Sequence, residues 1–137
     1  MKRLFIDTNI VIDLLAKRTD FYKDAQELFS LPDYSDTTLY ISALTFANTN
    51  YVLLKHYKPK AVRGILVQFK VLVNILTTDD RIIELALGSD FDDFENAIQH
   101  YTALVHDMDA IITRNKKDFK TANLPVMTAR ELLNTAP

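Results

Sequence analysis

Five short, mostly apolar segments alternate with amphipathic segments along this chain, and this alternation restricts the fold more than any other feature of the sequence. The short segments are residues 4–6, 39–41, 71–76, 110–112 and 126–127. Strands that are apolar on both faces are typical of parallel sheets covered by helices on each side. The sequence therefore predicts an α/β fold with a short parallel central sheet flanked by helices.

Apolar residues at spacings of three and four predict the intervening helices. We expect Thr8 and Asn9 to cap the first helix, and we expect further helices over residues 21–30, 43–56, 59–70, 79–88 and 91–106 and after Thr128. The β-branched run 71–76 is expected to be a buried strand. The clearest apolar stripe, which we expect to face the core, consists of Phe91, Phe94, Ile98, Tyr101 and Val105.

Composition excludes several classes of protein and of site. The 137 residues fit one domain, 1–137, and a formal charge of −2 excludes nucleic-acid binding by bulk charge, so that an RNA contact needs a local patch. The absence of cysteine excludes thiolate sites and fits a reducing cytoplasm. Because no apolar run is long enough to span a membrane and Asp7 interrupts the first one, we expect a cytoplasmic protein without a membrane partner.

Polar residues follow the two strands that we place near the centre of the sheet. Asp7 follows residues 4–6, and Thr113 follows residues 110–112. Sites in parallel sheets form beyond the carboxyl ends of the strands. A carboxylate next to a buried strand is costly to desolvate unless it is paired or binds a cation. Asp7 is therefore either a helix cap or a metal ligand or nucleophile.

Four blocks of the sequence resemble the PIN-domain family, which includes the VapC-type toxins of bacterial toxin–antitoxin systems. The blocks are residues 5–10 (FIDTNI), 40–45 (YISALT), 93–97 (DFENA) and 111–119 (IITRNKKDF), in the order and spacing of the family. The resemblance implies a three-layer α/β sandwich, in agreement with the strand pattern. It also implies an endoribonuclease that uses Mg²⁺ or Mn²⁺, an RNA substrate, an antitoxin partner and a homodimer.

Amides occupy most of the positions at which the resemblance implies catalytic acids. Asp7 matches the first acid, whereas the second and third fall on Asn48 and Asn96, and the fourth, which is Asp or Asn in the family, is Asn115. An amide offers a metal a neutral oxygen without the Coulomb attraction of a carboxylate. Two hypotheses follow: a metal-dependent ribonuclease, or a catalytically weakened PIN module that binds RNA or a protein partner.

Three nearby acids, Asp93, Glu95 and Asp118, are candidate metal ligands that would replace the missing charge. On a helical wheel Asp93 shares a flank with Asn96, whereas Glu95 lies on the other flank beside Gln99. In the branch of the family that this chain resembles most, the positions of residues 95 and 96 are often Glu-Asp. The choice between Asp93 and Glu95 stays open, and each of these two is equally explained as a solvated acid on a helix face. Asp118 is equally explained by pairing with Lys116 or by capping a turn.

Other polar residues have predicted supporting roles around this edge of the sheet. Thr8 and Thr113 are expected to hydrogen-bond the groups that bind metal, although capping explains Thr8 equally well. Arg114, Lys116 and Lys117 are predicted to bind RNA because they follow the strand that neighbours Asp7. A second basic cluster, which is more typical of ordinary solvated surface, consists of Lys55, His56, Lys58, Lys60 and Arg63.

Overall fold

Five parallel strands form one sheet in the order β3-β2-β1-β4-β5 in the computed structural model, which describes residues 2–135. The strands are β1 (Lys2–Ile6), β2 (Thr37–Ser42), β3 (Asn74–Leu76), β4 (Ala110–Ile112) and β5 (Val126–Met127). The helices are α1 (Thr8–Leu15), α2 (Tyr22–Ser30), α3 (Ala43–Leu53), α4 (Pro59–Lys70), α5 (Asp80–Leu87), α6 (Phe94–Val105) and α7 (Ala129–Thr135). The predicted range 1–137 includes Met1, Ala136 and Pro137, which lie outside the described residues.

Alternate residues of the central strands enter different cores, one on each face of the sheet. Leu4 and Ile6 pack with apolar residues of α1, α2, α4 and α7, whereas Phe5 packs with Ala103 of α6 and with Phe119. Side chains of a strand alternate between its two faces, so a run such as Leu4–Ile6 is apolar throughout only when both faces are buried. The predicted α/β sandwich with a parallel central sheet is confirmed.

The prediction of a buried strand over residues 71–76 is wrong. Only Asn74–Leu76 is a strand, and the side chains of Val71 and Ile75 are 84% and 42% exposed. Val71 is the C-cap of α4, so residues 71–73 form the turn before the strand. The strand β3 itself lies at the edge of the sheet and pairs with a neighbouring strand on one side only, which leaves Ile75 partly exposed. Apolar composition predicted that a strand exists in this segment but not where it begins or that it lies at the edge of the sheet.

The prediction that Phe94 belongs to the core is also wrong. Helix α6 begins at Phe94 rather than at Phe91, because the carboxylate of Asp93 accepts a hydrogen bond from the backbone N–H of Asn96 and caps the helix there. Phe94 is the first helical residue and is 45% exposed, whereas Ile98 one turn later is buried.

The turns after β1 and β2 place the first residues of α1 and α3 at the carboxyl ends of the strands. Asp7, and not Thr8 or Asn9, is the N-cap of α1, and its backbone N–H donates to the carbonyl oxygen of Ile112 on β4 at 2.9 Å. Ser42 caps α3 through its hydroxyl, which accepts from the backbone N–H of Thr45. The first turn of α1 therefore lies beside the end of β4, and the first turn of α3 contacts it through the Thr8 and Thr45 hydroxyls. Within residues 2–135 no helix is both long and apolar enough to cross a membrane.

Candidate active site

The Asp7 carboxylate is buried and held at both oxygens. Its Oδ1 accepts a hydrogen bond from the backbone N–H of Thr8 at 2.9 Å, and its Oδ2 accepts from the Thr113 hydroxyl at 2.8 Å. The residue is only 7% exposed. Burial raises the pKa of Asp7 from 3.8 to about 6, although the hydrogen bonds from Thr113 and Thr8 oppose that rise. Asp7 is thus the N-cap of α1 and also a carboxylate whose charged form is destabilised by burial.

The Thr113 hydroxyl is oriented by two donors. Its oxygen accepts from the side-chain amide of Asn9 at 3.3 Å and from the backbone N–H of Asn115 at 3.2 Å. Because these two contacts occupy the lone pairs of the oxygen, the hydroxyl proton is directed at Asp7. Thr8, the other predicted supporting residue, contacts Asp7 through its backbone, and its hydroxyl bonds instead to that of Thr45 at 2.9 Å.

A cleft of about 430 Å³ opens beside Asp7. The structure brings six of the predicted site residues to its wall, and these are Asp7, Thr8, Asn48, Glu95, Asn96 and Asp118. Within the described residues the side chain of Asn115 is not part of this wall. Its contribution to the site is the backbone N–H that holds Thr113.

The geometry distinguishes Asp93 from Glu95. Asp93 caps α6 and lines a neighbouring groove of about 220 Å³, whereas Glu95 faces Asp7 across the cleft. The side-chain amide of Asn48 lies 3.5 Å from Glu95 Oε2 and ties α3 to α6. Glu95, Asn96 and Gln99 of α6 therefore line the cleft, whereas Asp93 does not, and the helical wheel alone could not decide this.

Gln99 connects three helices beneath the cleft, a role that the sequence analysis did not foresee. It is 2% exposed, its Oε1 accepts from the Ser42 hydroxyl at 2.6 Å, and its Nε2 donates to the hydroxyls of Thr45 and Thr8 at 3.0 and 3.2 Å. The available signal was a glutamine one turn after Glu95 on α6.

Replacing Gln99 with leucine is expected to destabilise the protein by about 2 kcal/mol, because the Ser42 and Thr45 hydroxyls would lose their buried partner. The free energy of unfolding in urea measures the effect. Gln68→Leu on the exposed face of α4 is the matched control and is expected to change stability by less than about 0.5 kcal/mol. Equal effects of the two changes would contradict a structural role for the Gln99 network.

Two of the three basic residues predicted to bind RNA are engaged in ion pairs. Arg114 donates from Nε and Nη2 to the buried carboxylate of Asp13 at 2.8 and 3.2 Å. Lys116 binds Glu131 of α7 at 3.0 Å. Lys117, the third, lines the neighbouring groove that contains Asp93.

Arg18 and Tyr51 line the cleft and were not predicted as site residues. Arg18 lies after α1 in a polar segment without a recognisable motif, and Tyr51 reads as an ordinary aromatic of α3. A position on the cleft wall depends on how α1 and α3 pack against each other, and local spacing does not report that packing.

The chemistry of the cleft fits a divalent cation held by oxygen. Its wall carries three carboxylates and the amides of Asn48 and Asn96, which are ligand types for Mg²⁺ and Mn²⁺. Asp7, whose pKa is raised by burial, is the carboxylate that a cation would stabilise most. Across residues 2–135 no three acidic or histidine side chains are clustered closely enough to hold a metal by themselves, so water molecules would complete the coordination.

The model of the PIN domain matches residues 3–117 of this chain. The chain belongs to the PIN-domain family. No curated protein matches it significantly. The family resemblance carried by the four sequence blocks is thereby confirmed, and the buried Asp7 lies in the first block of this PIN domain.

Solved structures of toxin–antitoxin proteins share the fold of this PIN domain. A toxin–antitoxin complex from Klebsiella pneumoniae is 28% identical, with a TM-score of 0.67, over 92% of this chain and 97% of that chain. DNA-bound VapBC from Salmonella typhimurium is 16% identical, with a TM-score of 0.70, over 94% and 99%. VapC20 from Mycobacterium tuberculosis, a toxin that cleaves the sarcin–ricin loop, is 12% identical, with a TM-score of 0.68, over 86% and 94%.

Proposed function

We propose that this PIN domain is a metal-dependent endoribonuclease and the toxin of a toxin–antitoxin pair. The observation that carries the proposal is the single cleft that Asp7, Glu95 and Asp118 share with Asn48 and Asn96 at the carboxyl edge of the sheet. The similarity to the Klebsiella pneumoniae complex and to VapC20 supports an antitoxin as partner and RNA as the substrate. The homodimer stays a prediction from the sequence resemblance.

Asp7 would anchor the cation, because both of its oxygens are already fixed. Glu95 and Asp118 line the same cleft but do not form a three-acid cluster with Asp7, so they would contact the cation through its water ligands. Bound Mg²⁺ or Mn²⁺ would supply Lewis-acid stabilisation of the phosphate and a lowered pKa of attacking water. Thr113 holds the Asp7 carboxylate in place, and Asn115 holds Thr113. The amides of Asn48 and Asn96 can donate to phosphate or ribose oxygens, which carboxylates at the same positions could not do.

A second function, RNA or protein binding with little catalysis, is favoured by the amides at positions 48 and 96. Each replaces a charge that would attract the cation, and at an effective dielectric constant near 20 a unit charge a few ångströms away contributes roughly 4 kcal/mol. The two functions therefore differ in cation affinity, which makes that affinity the quantity to measure.

Replacing Asn96 with aspartate is expected to increase Mn²⁺ affinity about tenfold, because the new carboxylate joins the wall that holds Asp7. This is less than the effect of a charge in direct contact, since position 96 is only partly buried and water screens the new charge. Position 96 lies in the first turn of α6, where a negative charge also favours the helix, so folding should be preserved. Isothermal titration calorimetry measures the affinity. Asn74→Asp, at an exposed position on the edge strand β3 and outside the cleft wall, adds the same charge and is expected to leave the Mn²⁺ affinity unchanged.

Cleavage of RNA in Mn²⁺ by the same proteins decides between the two functions. If the native chain cuts and Asn96→Asp cuts faster, the ribonuclease proposal is supported. If the native chain cuts no RNA and the double variant Asn48→Glu with Asn96→Asp does, the binding module is the correct function. If the native chain and the double variant cut RNA at the same rate, the argument that the amides weaken cation binding is wrong.

A further inference from the structure

Two grooves open from the candidate active-site cleft in different directions. One, which we name the Arg18–Tyr57 groove, has a volume of about 400 Å³ and is lined by Ala16, Arg18, Val52, His56 and Tyr57. Arg18 and Val52 also line the cleft, so this groove is continuous with it. A strand bound with one phosphate at Asp7 therefore has a path into this groove.

The second groove, which we name the acidic groove, leaves the cleft at Asn96 and Asp118. Its wall carries the four carboxylates of Asp90, Asp92, Asp93 and Asp118 against the two ammonium groups of Lys117 and Lys120. The excess of negative charge repels a phosphate backbone. Lys117 and Lys120 are thus offset by the aspartates that share their groove.

The Arg18–Tyr57 groove, unlike the acidic groove, has a cation that exceeds the acids around it, and this cation is Arg18. Its nearest acid is Asp13, at 3.5 Å, but Asp13 already receives two shorter hydrogen bonds from Arg114. Two guanidinium groups share the one carboxylate of Asp13, so one positive charge is not neutralised. We assign this charge to Arg18, because its contact with Asp13 is the longer one and its side chain is 42% exposed. A guanidinium with unused donors at the junction of cleft and groove is suited to a phosphate.

Two exposed tyrosines extend the same surface. Tyr51 on the cleft wall is 67% exposed and Tyr57 in the groove is 44% exposed. The Lys55 ammonium lies 5.1 Å from the centre of the Tyr51 ring and adds positive charge beside it. Exposed aromatic rings interleaved with cations form the surface on which unpaired bases stack.

We propose that single-stranded RNA leaves the active-site cleft along the Arg18–Tyr57 groove and not along the acidic groove, with Arg18 on a phosphate and Tyr51 and Tyr57 against flanking bases. This proposal rests on the proposed ribonuclease function and assigns the substrate path of that site. It moves RNA binding away from Arg114, Lys116 and Lys117 to a surface that includes His56 of the second basic cluster.

Fluorescence anisotropy with a labelled single-stranded RNA of about ten nucleotides, in EDTA so that nothing is cut, tests the path. Arg18→Gln and Tyr57→Ala are each expected to weaken binding about tenfold, and Arg18→Lys less, because it keeps the charge. The matched controls are Lys117→Gln in the acidic groove and Tyr34→Ala, an exposed tyrosine outside both grooves, each expected to change affinity less than about twofold. Photo-crosslinking of bromouridine RNA is expected to label residues 51–57 and not residues 117–121.

The outcomes separate this proposal from the function on which it rests. If the native protein cuts RNA but Lys117→Gln weakens binding more than Arg18→Gln, or the crosslinks fall in residues 117–121, the path is wrong and the ribonuclease function stands. If the native protein neither binds nor cuts RNA, both fail. Binding of polyglutamate without binding of RNA would assign the groove to an acidic protein partner and would overturn the proposal.

Discussion

Replacing Asp7 with asparagine is expected to reduce RNA cleavage about a thousandfold, because the cation would lose its anchoring carboxylate and with it about 4 kcal/mol of transition-state stabilisation. The same change is expected to stabilise the metal-free protein above pH 6. A pKa raised from 3.8 to about 6 corresponds to about 3 kcal/mol of folding free energy that the charged Asp7 costs at neutral pH.

The sign of this effect follows from the direction of the pKa shift. Below about pH 4 the carboxyl group is protonated in the folded and the unfolded chain, and Asp7 costs nothing. As the pH rises from 4 to 6, only the unfolded chain ionises fully, so the native protein loses stability relative to the Asp7→Asn variant. An asparagine cannot accept from both Thr8 and Thr113, and this lost hydrogen bond reduces the net gain to about 1–2 kcal/mol.

Urea unfolding at pH 4 and pH 7.5 in EDTA, and then with Mn²⁺, measures these effects. Mn²⁺ is expected to raise the melting temperature of the native protein and not that of Asp7→Asn. Asp33→Asn, at an exposed position, removes the same charge and should match the native protein in every measurement. An Asp7→Asn variant that cuts RNA at the native rate, or that gains the same stabilisation from Mn²⁺, would remove Asp7 from the catalytic centre.

Replacing Arg114 with alanine is expected to destabilise the protein by about 3 kcal/mol, because Asp13 would keep a buried charge without its main partner. Asp13 is 2% exposed, and the Arg114 guanidinium also packs over the Phe21 ring at 4.1 Å from its centre. Among residues 2–135, the one other cation paired with this carboxylate is Arg18, at 3.5 Å. Chemical denaturation gives the loss as a lower midpoint at an unchanged slope.

The double variant Asp13→Asn with Arg114→Ala is the control for buried charge. It removes both members of the pair and is expected to recover at least about 1 kcal/mol of the loss, because no unpaired carboxylate remains. A destabilisation of the double variant equal to the sum of the single changes would contradict the pairing. If Arg114→Ala were as stable as the native chain and bound RNA more weakly, the RNA-binding role predicted from sequence would replace the structural one.

The sequence was sufficient to predict the fold, the position of Asp7 and the family, because short local patterns carry each of them. A run such as Leu4–Ile6 is apolar on both faces only in a covered parallel sheet, and the carboxyl end of such a strand placed Asp7 at the site. The four blocks were sufficient for the family because they combine strand ends with polar residues in a set order. Local patterns failed for residues 71–76 and Phe94, where neighbours distant in sequence determine burial.

The amino-acid sequence by itself determined the α/β architecture, the family and the position of Asp7, since each follows from residues adjacent in the chain or from one strand and its following turn. Only the tertiary structure decided that Glu95 and Asn96 line the cleft with Asp7 whereas Asp93 does not, and that Gln99 joins α1, α3 and α6. It also decided that Arg114 is the closer of the two arginines that contact Asp13. These facts depend on the angles at which helices pack and on competition between two arginines for one carboxylate, and neither is encoded in the spacing of residues along a single element.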